Sequence, residues 1–173
     1  MLAPAIIFRE TFVRDPNALF THLSASVTWD ERMRARKTAS FGVSYDYSQI
    51  SYPEAPMSPE LDAIVGDIDC ALGFRPNNCL LNYYPDGEAS MGFHSDSSAE
   101  LAPNTGVAIV SLGAERPMIF RLKADRNVEH MLTLANGSLL HMPNAMQDEW
   151  LHAIPRAPGV GPRISATFRK IVK

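Results

Sequence analysis

Cysteine is scarce in this chain of 173 residues, and an excess of positive charge is missing altogether. Its two cysteines, Cys70 and Cys79, lack the Cys-x-x-Cys spacing of redox dithiols and zinc sites, so two reduced thiols are expected. Lysine and arginine total 16 against 19 acidic residues, a formal net charge of −3. That balance excludes a protein that coats nucleic acid by bulk electrostatics, and leaves room for an enzyme that grips a few phosphates locally. No apolar run approaches the ~18 residues needed to span a membrane. The opening Met1-Leu2-Ala3-Pro4-Ala5-Ile6-Ile7-Phe8 has no basic region and only a short apolar stretch. No secretory signal is therefore expected, and the expected compartment is the cytoplasm. Internal repeats, low-complexity tracts, interdomain linkers and oligomerisation motifs are also missing, which leaves one monomeric domain as the expectation.

What is present suffices for a core: 46% of residues are hydrophobic and 20% charged. Asp15-Pro16-Asn17 opens a short amphipathic helix, with Asp15 placed to cap it and Pro16 at its first position. Ser58-Pro59-Glu60-Leu61 opens a second by the same logic, running to about Leu72 and stopping at Gly73. Between them, 37–51 is rich in aromatic and hydroxyl residues and reads as strand or loop. From Asn78 onward short β-rich runs follow at 79–84, 107–112, 118–122, 128–134, 138–142 and 164–171, punctuated by Gly, Pro and Asn. Many short strands with regular turn signals predict a sandwich or barrel. Asn136-Gly137 between two such runs predicts a hairpin. The expected fold is mainly β (α+β): a jelly roll over 76–173, with a helical layer and substrate lid over 1–75 packed on it.

Against that frame one polar constellation stands out. His94-Ser95-Asp96 is followed far downstream by His152. A His-x-Asp pair with a distant His is the sequence form of the two-His, one-carboxylate triad that binds Fe(II) in oxygenases. In a strand, residues two apart share a face, so His94 and Asp96 can hold one metal between them. Alone, His-x-Asp is mostly coincidental. Arg163 and Arg169 change the weight of the evidence. Six residues apart, on a strand they share a face with Ser165 and Thr167, and leave Ile164, Ala166 and Phe168 for the apolar face. An arginine fork can neutralise a buried carboxylate through two parallel hydrogen bonds, which lysine cannot reproduce. The alternative, a basic exposed edge strand that discourages aggregation, weighs as much when the strand is taken alone and is disfavoured beside the metal constellation.

These residues resemble the AlkB family of Fe(II)- and 2-oxoglutarate-dependent dioxygenases. The resemblance covers roughly 36–173 and is carried by Asn82-Tyr83-Tyr84 with Gly87, Phe93-His94-Ser95-Asp96, Val110-Ser111-Leu112-Gly113, Gly137-Ser138-Leu139-Leu140-His141-Met142, Trp150-Leu151-His152-Ala153-Ile154-Pro155, and Arg163 to Arg169. Each fragment is weak alone; their order and spacing together are specific. Thr38 to Gly42 with Tyr45-Asp46-Tyr47-Ser48 is similar to the family's nucleotide-recognition lid.

The resemblance implies a double-stranded β-helix and oxidative demethylation of N-alkylated nucleobases, of the 1-methyladenine or 3-methylcytosine type, in DNA or RNA. Its cofactors are Fe(II), 2-oxoglutarate and O2, and its partner is alkylated nucleic acid, preferably single-stranded, since a paired base cannot reach such a pocket unless flipped. His94, Asp96 and His152 would bind iron. Asn82, Tyr84, Arg163, Ser165 and Arg169 would hold 2-oxoglutarate. Phe41, Tyr45 and Tyr47 are candidates to stack on the base, Ser98 and Arg126 to contact the substrate, and Arg32, Arg34, Arg36 and Lys37 to meet phosphates. That basic cluster reads equally as a solvated surface. His22, His130 and His141 read as structural or surface residues.

Two departures from the family pattern bear on this. Ser165 stands where the family often has Asn, and a hydroxyl still donates to a carboxylate. Ser98 stands where repair members often carry an acid that accepts from a base amine. An uncharged, shorter side chain there favours a cationic methylated base less. The competing reading therefore keeps the iron chemistry and changes the substrate to a tRNA base, a protein side chain or a small molecule. A non-catalytic jelly-roll binding module is the third reading, opposed by a complete set of ligands and arginines.

Overall fold

A computed structural model describes residues 2–173. Its elements are β1 (Ile7–Arg9), α1 (Pro16–Ser26), β2 (Lys37–Gly42), β3 (Tyr45–Tyr47), β4 (Ile50–Tyr52), α2 (Pro59–Leu72), β5 (Asn78–Tyr84), β6 (Met91–His94), β7 (Val107–Gly113), β8 (Arg116–Leu122), β9 (Glu129–Leu134), β10 (Leu139–Met142), α3 (Met146–Glu149), β11 (Trp150–Ile154) and β12 (Arg163–Arg169). Both helix starts form as expected. The Asp15 carboxylate accepts from the Ala18 N–H at 3.1 Å, and the Ser58 hydroxyl accepts from the Leu61 N–H at 3.3 Å. Gly73 ends α2 in the left-handed conformation at φ 76°.

The strands form a six-stranded sheet, ordered β1-β10-β7-β12-β5-β2, and a four-stranded sheet, ordered β6-β11-β8-β9. All their pairings are antiparallel. From β5 onward the chain alternates between the two sheets, apart from the β8–β9 hairpin, which is the jelly roll. β1 and β2 come from the N-terminal part and extend the larger sheet, so that part contributes strands as well as helices.

One expectation needs correction. Asn136-Gly137 does not close a hairpin: β9 lies in the smaller sheet and β10 in the larger one, so this turn crosses between them. Gly137 takes φ 85°, and its carbonyl accepts from the Phe12 and Val13 N–H groups. The local turn chemistry was read properly, and the pairing of its flanks was set by the sandwich instead.

Strand alternation sorts two apolar cores. Outward residues of the larger sheet, among them Cys79, Leu81, Ala108, Val110, Leu112, Ile164, Ala166 and Phe168, pack under Leu23 of α1 and Leu61, Ile64, Val65 and Ile68 of α2. Inward residues of both sheets, including Val107, Ile109, Met118, Phe120, Leu140 and Ile154, fill the sandwich. β12 lies between β5 and β7 and is buried on both faces. The basic edge-strand reading of Arg163 to Arg169 is thereby excluded.

Candidate active site

The metal-ligand candidates meet at one end of the sandwich. His94 and His152 are direct cross-strand partners on β6 and β11, which brings their rings to 4.3 Å between centroids. Between these partners and the next pair, Met91 and Ile154, the register shifts, a bulge of the kind that re-aims side chains beside functional sites. Asp96 is not on the strand, as the sequence suggested, but two residues past its end. Its Oδ2 still lies 3.4 Å from His152 Nε2, and one ligand atom from each of the three residues lies within 4.8 Å of the others. The His94 Nδ1–H donates to the Gly92 carbonyl at 2.8 Å, an assignment that leaves Nε2 as the ligand atom.

Electrostatics keep His94 and Asp96 in ligand form. Burial, helped by the neighbouring His152, lowers the pKa of His94 and favours the neutral imidazole. Burial opposes ionisation of Asp96, but Arg169 and the two imidazoles hold its carboxyl well below the ordinary carboxylate range. Arg169 Nη2 donates to Asp96 Oδ1 at 2.7 Å. Burial works against the Arg169 charge, and Asp96 more than restores it.

The triad forms part of the lining of a small cavity. Arg163, Ser165, Thr167 and Arg169 of β12 line it, as do Leu80, Asn82 and Tyr84 of β5. All five residues expected to hold the co-substrate are thus brought together. Arg163 is the telling one. It is 1% exposed, donates to the Ser111 hydroxyl at 2.9 Å, and has no hydrogen-bond partner for Nε or Nη1. No carboxylate among the described residues pairs with it. Burial depresses its pKa, and the Tyr84 ring lies 5.2 Å from it. A buried fork with spare donors is what the distal carboxylate of a dicarboxylate requires, so the residues present fit both iron and 2-oxoglutarate.

Outside the cavity a wider cleft is lined by Tyr45, Tyr47, Phe93, Ser97 and the triad residues His94 and Asp96. Tyr45 and Tyr47 stack at 6.5 Å on the β3–β4 hairpin, and Tyr47 borders both cavity and cleft. Other expected substrate contacts fall elsewhere. Phe41 pairs with Cys79 on β5 and packs toward the helices, on the opposite face of the sheet from the triad. Its position in the strand's alternation put it on the wrong side for stacking. Arg126 is exposed in the β8–β9 turn and lines neither compartment. Ser98 is half-buried near the cleft without lining it.

The basic cluster also changes character. Arg32 pairs with Asp30, and Lys37 with Glu31 at 2.6 Å. Arg36 turns inward: Nε donates to Asn82 Oδ1 at 2.9 Å and Nη2 to the Tyr47 hydroxyl at 2.6 Å. It links the β3–β4 hairpin to the β5 wall of the cavity, and leaves the Asn82 Nδ2 donors free. Three further residues were not singled out by the sequence. Gln147 accepts from the Asp96 N–H at 2.8 Å, and Lys123 reaches Ser95 at 3.1 Å. Arg116, wholly buried, donates to the Ala89 and Pro155 carbonyls at 2.7 and 2.6 Å. Only Arg116 carried a signal, since it sits in phase with the apolar positions Met118, Phe120 and Leu122 of β8.

A jelly roll with two histidines and a carboxylate at one end, beside a buried arginine fork, defines the mononuclear iron oxygenases that use a dicarboxylate. The profile described as the 2OG-Fe(II) oxygenase superfamily matches residues 14–169. The human DNA oxidative demethylase ALKBH2 is 36% identical over 148 residues, covering 79% of this chain and 57% of that protein. The human alpha-ketoglutarate-dependent dioxygenase alkB homolog 3 is 28% identical over 179 residues, covering 92% of this chain and 63% of that protein. The solved structure of OsALKBH1 superposes with a TM-score of 0.75 over 98% of this chain and 100% of that one, at 16% identity, a likeness of fold. The chain belongs to the AlkB family of Fe(II)- and 2-oxoglutarate-dependent oxygenases. It spans a little over half the length of the ALKBH2 relatives it matches. No helix among the described residues is long and apolar enough to cross a membrane.

Proposed function

We propose that this chain is a dioxygenase that oxidatively demethylates N-alkylated bases of the 1-methyladenine or 3-methylcytosine type in single-stranded DNA or RNA. The observation that carries the reading is the tyrosine hairpin beside the triad, with Tyr47 shared between cavity and cleft. Aromatic faces accept any base by stacking, and a base must leave its helix to lie between them. The similarity to DNA oxidative demethylase ALKBH2 supports the same reading.

His94, Asp96 and His152 would hold the iron and leave its remaining positions open. Arg163 would clamp the distal carboxylate of 2-oxoglutarate, with Asn82 Nδ2, Tyr84 and Ser165 as further hydrogen-bonding groups. Arg169 would balance the negative charge of Asp96 and of the chelating carboxylate beside it. Arg36 holds Tyr47 over the site. Bound iron, with 2-oxoglutarate and O2, supplies oxidation of the methyl C–H, yielding succinate, CO2 and a hydroxymethyl base that releases formaldehyde. The chain itself positions and excludes water.

The test is formaldehyde release from oligonucleotides carrying 1-methyladenine or 3-methylcytosine, against unmodified controls. Lesion-dependent formaldehyde is expected. Succinate without lesion dependence moves the substrate elsewhere. A second reading, hydroxylation of a tRNA base, a protein side chain or a small molecule, is favoured by the uncharged Ser98 and by the self-paired Arg32 and Lys37.

A further inference from the structure

Asp96 is the one ligand without a sheet partner. Its two companions are pinned by the β6–β11 ladder, whereas Asp96 lies in a loop whose backbone has no strand to fix it. A ligand set works when its atoms are held within about 0.5 Å of productive geometry. Arg169 secures the Asp96 carboxylate, but a side-chain contact alone leaves the main chain free to swing.

The main chain is secured from α3. Gln147, 3% exposed, accepts the Asp96 N–H on Oε1 at 2.8 Å. The carbonyl of the same Gln147 accepts from Lys123 Nζ at 2.7 Å, and that ammonium also donates to the Ser95 hydroxyl at 3.1 Å. The Lys123 N–H in turn donates to the Glu149 carbonyl at 2.9 Å. Both residues that follow His94 are thus tied to α3, and α3 runs directly into β11 and His152. The geometry points to Gln147, supported by Lys123, as a positioning residue that sets Asp96 against His152 before any metal arrives. This rests on the reading of His94, Asp96 and His152 as an iron site. Partners of metal ligands that never touch the metal commonly govern affinity by about 10–100-fold.

The experiment titrates Mn(II), which resists oxidation, into the protein by calorimetry, with a thermal melt of each apo variant. Gln147→Met keeps the side chain's length and removes the acceptor; its Mn(II) Kd should rise by about 10–100-fold, with 2-oxoglutarate turnover recovered at saturating Fe(II). Gln147→Glu keeps an acceptor oxygen and should stay within about threefold of the parent, which separates positioning from packing. Lys123→Met should weaken binding by a smaller factor, and decides the matter if Gln147→Met does not fold. Parent-like affinity in Gln147→Met, or in Lys123→Met where that variant decides, overturns the assignment. A parent protein that binds no Mn(II) instead removes the iron reading beneath it.

Discussion

Replacing Arg163 by Met should make the protein without co-substrate more stable and 2-oxoglutarate-blind. The Arg163 guanidinium is buried, unpaired by any carboxylate among the described residues, and leaves two nitrogens without a hydrogen bond. Each unsatisfied buried donor costs about 1–3 kcal/mol, so the two together cost about 2–6. The single bond to Ser111, a charge-assisted one, returns about 1.5–3 kcal/mol. At the midpoints of those ranges the balance favours removal by about 2 kcal/mol. For a chain of this length each kcal/mol moves Tm by about 2–4 °C, so Arg163→Met should melt about 4–8 °C higher. The parent protein should gain about 2.7 kcal/mol from 2-oxoglutarate at a hundredfold excess over Kd, a rise of about 5–10 °C, while the variant gains nothing. Differential scanning fluorimetry with Mn(II) present, with and without 2-oxoglutarate, measures all four states. A variant that melts below the parent in the absence of 2-oxoglutarate, or still responds to it, refutes the account of Arg163 as a carboxylate clamp.

Asp96→Asn should abolish metal binding in calorimetry and also lower stability by about 3–5 kcal/mol in urea, since Arg169 is left buried without its counter-charge. Phe41→Ala should cost about 1–3 kcal/mol of stability with 2-oxoglutarate turnover per folded molecule unchanged, whereas Tyr47→Ala should raise KM for oligonucleotide at little cost in stability. Burial lowers the pKa of His141 below its ordinary 6.5, against the raising effect of its bond to Thr105. Above pH 6.5 the group is neutral in both states and without effect; as pH falls below 6.5 the unfolded chain takes up a proton that the folded one resists, so stability declines. His141→Gln should flatten the fall in urea midpoint between pH 7 and about 5; an unchanged slope assigns the acid sensitivity to other groups.

The parts of the fold legible in the sequence were those written locally. Caps at Asp15 and Ser58, the αL stop at Gly73 and the two-faced pattern of β12 each follow from neighbouring residues. The candidate iron and co-substrate residues were legible because side chains of distinctive chemistry fell two apart at the end of β6 and six apart along β12. Long-range partnerships were not. Asn136-Gly137 has a hairpin's turn chemistry, yet which sheet each flank joins depends on the whole sandwich. Phe41 and Tyr45 are similar aromatic residues four apart, and only the strand boundary at Gly42 sends them to different faces. Gly42 takes φ 84°, and a Cβ there would meet the Asn77 carbonyl oxygen at 2.0 Å. Gln147 reaches Asp96 across 51 residues, with nothing in either neighbourhood to announce it. Arg36 looked like part of a phosphate-facing run until Asn82 and Tyr47 supplied its partners.

The place of β12 between β5 and β7 has a consequence for synthesis. A ribosome delivers β5 early and β7 midway, but the strand that joins them arrives after every other strand of both sheets. Until then the emerging larger sheet is split along its middle, and both the buried Arg163 and the counter-charge that Arg169 gives Asp96 are still to come. A message cut short before β12 therefore yields no weaker enzyme, only a chain with two unjoined half-sheets. The edges of β5 and β7 that β12 covers therefore stay unpaired until it is inserted, open to pairing with another chain.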